Sequence, residues 1–95
     1  MDSENLERSV MEDCLNKELH TLLLLTRDRL GLTQAAMAKR YFMAKNTYWG
    51  LEGTKHGFGP LTTTLLLRDQ EDPKKVLDEL AAKMEAALAE VTVLI

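Results

Sequence analysis

Residues 32–53 read LTQAAMAKRYFMAKNTYWGLEG, two short helix-like runs with neither glycine nor proline between them. On either side the chain is punctuated. Gly31 precedes the stretch, and EGTKHGFGP, with three glycines and a proline, follows it. Such a segment forms a hairpin of helices that needs other helices to pack on. The functional question is whether its second half only fills a core or also faces outward.

The flanking segments supply those helices. Glu4 and Glu7 suit the first turn of a helix that Ser3 caps. Leu6, Val10, Cys14, Leu15, Leu19, Leu22, Leu23 and Leu30 recur at helical spacing, predicting a helix over 4–30 that is continuous or broken near Asn16. Gly31 ends it in the left-handed position. Thr33 caps a second helix over about 33–41 with Ala36, Met37 and Tyr41 inward, and Phe42-Met43 forms the joint. A third helix over 45–51 points Tyr48 and Leu51 inward. Residues 53–60 are irregular, and 61–68 form a fourth helix that its three threonines weaken. Asp72-Pro73 restarts the chain as a cap with proline at the first helical position. Val76, Leu77, Leu80, Met84, Ala87, Leu88 and Val91 then mark a clean amphipathic helix. Leu and Ala dominate the composition, and β-branched residues cluster only at 62–64 and the C-terminus, so the fold class is all-α. Ninety-five residues make one small domain.

The net charge of −3 conceals a segregation. Residues 1–26 sum to −4, residues 27–57 to +4 and residues 58–95 to −3. The middle is a basic island of Arg27, Arg29, Lys39, Arg40, Lys45 and Lys55, a distribution that fits a nucleic-acid face better than the whole-chain charge does. The single cysteine, Cys14, excludes an internal disulfide and fits a reducing compartment. No segment has the length of a membrane span, and the N-terminus is acidic where a secretory signal would be basic, so a soluble cytoplasmic protein without membrane contact is expected.

Leu32-Thr33-Gln34, Met37-Ala38, Tyr48 and Leu51-Glu52-Gly53, followed by Pro60, resemble the lambda-repressor/Cro type of helix-turn-helix over roughly residues 20–70. The resemblance implies a compact five-helix DNA-binding domain with extended terminal helices: an N-terminal extension over 1–17, a core over 18–70 and a C-terminal helix over 71–95. It implies that the second helix lies across the DNA backbone and the third enters the major groove. Gln34 would then anchor a phosphate, with Lys39, Arg40, Thr47 and Lys55 as further backbone contacts. Ala44, Lys45, Asn46 and Gly50 would face the bases: Lys45 suits guanine O6/N7 and Asn46 suits adenine. Trp49 falls on the same outward face, where it would cover a sugar or a thymine methyl, or else pack against the protein. Arg27 and Glu52 would form a structural ion pair. The family's turn glycine is Phe42 here; a non-glycine at positive φ costs about 1 kcal/mol or more, which favours a lengthened or reshaped turn. Ala44 stands where a hydroxyl cap is usual. Gly50 lowers helix propensity by roughly 1 kcal/mol relative to Ala.

Other chemistries find little support. His20, His56 and Cys14 lack metal-ligand spacing, no nucleophile has a base and an orienting group, and the glycine loop follows no strand, so neither metal, cofactor nor enzymatic activity is expected. The last helix is longer than a helix-turn-helix core needs. Its stripe of Leu77, Leu80, Met84, Leu88 and Val91, with the tail Val93-Leu94-Ile95, predicts a two-fold homodimer seam, which the N-terminal extension could share. The expectation is a dimeric regulator, a repressor by preference, of bacterial or phage type on palindromic double-stranded DNA, with half-sites roughly 34 Å apart. No separate ligand-sensing domain fits the length. An antitoxin that holds a toxin and represses its own operon is the alternative, and a protein-interaction module that has lost DNA binding is the third reading.

Overall fold

In a computed structural model, residues 3–94 are described, with side chains from 5 to 91. The chain is all-helical over these residues: α1 (Ser3–Leu30), α2 (Gln34–Arg40), α3 (Lys45–Glu52), α4 (Pro60–Arg68) and α5 (Pro73–Leu94). The Ser3 cap and the apolar tail 93–95 fall outside the described side chains. No described helix is long and apolar enough to cross a membrane.

α1 is unbroken for 28 residues, passing through Asn16 and through the boundary expected at 17/18. At 1.5 Å per residue it spans about 42 Å, which sets the long dimension of a molecule measuring 44 × 28 × 18 Å. It serves as the spine on which α3, α4 and α5 pack. Leu19 and Leu23 bury fully from it, meeting Met37, Ala38 and Tyr41 of the α2 end, Tyr48 and Leu51 of α3, Leu65 and Leu66 of α4, and Leu80 of α5. Ala36, expected inward, is only half-buried, and Ala38 takes the deeper place.

Local signals explain the boundaries. Gly31 at φ 67 closes α1, its N–H bonding Asp28 O and the next N–H bonding Arg27 O, a Schellman cap. Thr33 caps α2 through Ala36 N–H at 3.1 Å. Asp72 caps α5 through Lys75 N–H at 3.1 Å, with Pro73 first in the helix. Pro60 likewise opens α4.

Two expectations change here. The turn between α2 and α3 is neither lengthened nor reshaped: Phe42 itself adopts φ 59 and completes a Schellman cap, its N–H on Lys39 O and that of Met43 on Ala38 O. The α5 stripe is also partly covered within the chain. Leu80 is 8% exposed in the core of its own chain, and Met84, Leu88 and Val91 are half-buried on a helix packed along α1. Leu77 alone of the five stands exposed. The reason is the length of α1: the unbroken helix runs beside α5 and covers part of its stripe within one chain.

Candidate nucleic-acid interface

α3 presents two unlike faces. Tyr48 and Leu51 are buried, while Lys45, Asn46, Thr47 and Trp49 are exposed, as is Ala44 at the N-cap. Ala44 has extended φ and ψ but offers no side-chain cap, and no acidic residue occupies the first turn. The leading amides of α3 are therefore unopposed by a carboxylate in a region that favours negative charge. Lys45 and Asn46 sit at this end.

The inner face of α3 is held by Glu52, whose side chain is 7% exposed. Its carboxylate accepts from Arg27 Nε at 2.7 Å, Gln34 Nε2 at 3.0 Å and Tyr48 OH at 2.5 Å, and its main-chain carbonyl accepts from His20 Nε2–H. Burial opposes ionisation of Glu52, but the hydrogen bonds from Gln34 and Tyr48 and the charge of Arg27 outweigh it and hold its pKa below the ordinary value. Desolvation, then the bond to Glu52, raises the pKa of Tyr48 far above the usual phenol value. One carboxylate thus fixes α3 against α1 and α2, which sets the direction of the outward side chains.

A second carboxylate does the same for α2. Asp69, with its side chain 2% exposed at the end of α4, accepts from Arg40 Nε at 2.9 Å and Nη2 at 2.5 Å and from Tyr41 OH at 3.0 Å. The bidentate bond from Arg40 holds its pKa down, against the opposing effect of burial. Arg29 donates to its main-chain carbonyl. Beside it, buried Thr26 accepts from Gln70 Nε2 at 2.9 Å.

The expected contact residues therefore divide. Lys39, Lys45, Asn46 and Thr47 are exposed. Lys55 is also exposed, with Nζ 4.8 Å from the centroid of the Trp49 ring, a cation–π pair on the outer side of α3. Arg40 is exposed and braces Asp69 through Nε and Nη2, which leaves Nη1 for a further partner. Gln34 is half-buried with its amide nitrogen donating to Glu52, which leaves the second N–H and the oxygen for another partner. Gly50 does not face outward: it is buried, and a Cβ added there would lie 2.5 Å from the His56 ring. A glycine on an outward helix position looks from sequence like a missing reader, whereas here it is the seat of a ring folded back from the following loop. Asp69 and Gln70 carried no sequence signal, since their partners lie 28 and 44 residues away.

Among the described residues no cluster of His, Cys, Asp and Glu could hold a metal ion. The chain matches no protein-family model, no curated protein and no solved structure.

Proposed function

We propose that this protein binds double-stranded DNA sequence-specifically as a transcriptional regulator, with α2 across the backbone and α3 in the major groove, two copies reading a palindromic site. The observation that carries the reading is the two-faced α3: Tyr48, Leu51 and the Glu52 cluster anchor it while Lys45, Asn46 and Trp49 stand out together from the basic middle of the chain. The contact set is smaller than the sequence suggests. Lys39, Lys45 and Lys55 provide the phosphate attraction, Arg40 adds its Nη1 while bracing Asp69, Thr47 adds a hydroxyl, and Gly50 serves the fold. The pairing of two copies does not rest on Leu80; of the α5 stripe Leu77 is exposed, and half-buried Met84, Leu88 and Val91 keep part of their surface for a partner.

Selection of bound sequences from a random duplex pool at two salt concentrations tests this reading. A palindromic motif is expected, and its enrichment should vanish in a Lys45→Ala, Asn46→Ala protein of unchanged helicity. Retained selectivity in that variant would sink the assignment of α3. Lys39→Ala should weaken binding alike on all sequences and flatten the salt slope by about one, since a single phosphate-neutralising charge is removed. Absence of any enrichment would transfer the outward face of α3 to a protein partner.

A further inference from the structure

Behind α3, between α1 and the loop that follows Glu52, lies an open cavity of about 310 Å³. Leu51 and Phe58 give it an apolar floor, and Lys17 of α1 and Lys55 and His56 of the loop line its sides. No carboxylate lines it, in a chain with 15 acidic residues against 12 basic. Neither lysine has an ion-pair partner among the described residues. The far wall is docked to α1: Asn16 Oδ1 accepts from Phe58 N–H at 3.4 Å, and His20 bonds the Glu52 carbonyl.

Packing alone gives no reason for two lysines without ion-pair partners and an imidazole to line a cavity floored by Leu51 and half-buried Phe58. The size is at the lower end for ligand cavities. We propose that this cavity binds a small organic anion, its phosphate or carboxylate head between Lys17 and Lys55 and its short apolar body on Leu51 and Phe58. The site adjoins α3 on two sides, because His56 covers Gly50 and Lys55 lies over Trp49. A head group that draws Lys55 inward takes it off the Trp49 ring, so occupancy is legible in the fluorescence of the chain's single tryptophan.

The probe is phenyl phosphate, titrated without DNA so that the outcome is independent of the DNA-binding reading, and followed by Trp49 emission and backbone amide shifts. Saturation with a Kd of about 1 mM or tighter is expected. The shifted amides should lie at 16–20 and 54–58. Inorganic phosphate, which lacks the apolar body, should bind at least about tenfold more weakly, and Lys17→Ala should weaken phenyl phosphate by about tenfold. Lys17 is exposed and outside the DNA-contact set, so this variant keeps its fold. Failure to saturate, shifts located elsewhere, or undiminished binding by Lys17→Ala overturns the proposal. The remaining source of a phosphate is a DNA backbone. A short duplex that shifts the same amides, with inorganic phosphate bound as well as phenyl phosphate, assigns the slot to that backbone and overturns the small-ligand site.

Discussion

Among the described residues three helices end in left-handed Schellman caps, and only one of these uses glycine. Gly31 at φ 67 takes the first, but Phe42 at φ 59 takes the second and Thr54 at φ 62 the third, although Gly53 stands one position earlier at φ −83. A non-glycine in this region costs about 1–2 kcal/mol, and a β-branched one is the rarer case. Phe42 recovers little of this by packing, since it is 76% exposed. Phe42→Gly and Thr54→Gly should each stabilise the fold, by roughly 0.5–1 kcal/mol once the greater freedom of glycine in the unfolded chain is deducted. That corresponds to several degrees in Tm for a domain of this size. The complementary test is Gly31→Ala: an added Cβ there meets nothing within 4 Å, so any loss is conformational. Chemical denaturation of the three variants checks all of this, and a destabilised Phe42→Gly protein would mean that the ring makes contacts that outweigh its strain.

The helices were legible where side chains act on their own neighbourhood. Thr33, Gly31 and Asp72-Pro73 each bond or bend the backbone within three residues, and each boundary falls where those residues place it. What stayed hidden were facts decided by remote partners, and α3 holds the sharpest instance. Gly50 reads as a weakness in an outward helix, yet His56 lies against it from the next loop, and no spacing rule connects positions six apart across a cap. The pair makes a double-mutant prediction. Gly50→Ala gains helix propensity of about 1 kcal/mol but must push the His56 ring aside. In a His56→Ala background the ring is gone, so the full gain should appear, while in the parent chain it should be smaller or absent. The coupling between the two sites should amount to about 0.5 kcal/mol or more, as for residues in contact. Strict additivity would show that the ring does not occupy this seat in solution.

For the molecule as a whole, the apolar pattern identified buried positions of α1, α2 and α3 but named none on α4, where Leu65 and Leu66 are buried. Sequence left open whether α1 breaks at Asn16; it runs on unbroken, and Leu80 is buried at home beside Glu18 and Leu22, past that point. Polar architecture was less legible still. The Arg27–Glu52 pair was expected only through the family resemblance, and Asp69 not at all. Together these two carboxylates tie α1, α2, α3 and α4, with α5 held by apolar packing and an exposed Lys83–Glu18 pair. Both have folded-state pKa values held below their ordinary ones. Ordinary carboxylates titrate near about 4, so as pH falls toward that value the unfolded chain takes up protons that the folded one refuses. Their stabilising contribution is therefore complete above that value and is lost as pH falls on through the depressed folded values. Urea denaturation from pH 7 down to about pH 2.5 should show this acid loss in the parent chain. Glu52→Gln and Asp69→Asn should each cost about 1–3 kcal/mol at pH 7, because each weakens charge-assisted hydrogen bonds, including those from the buried hydroxyl-bearing Tyr48 and Tyr41. Combined, they should flatten the acid limb, since neither site then has a proton to gain. A double variant with the parent's pH slope would place the acid sensitivity in other carboxylates and deny these two their role in holding α2 and α3 in place.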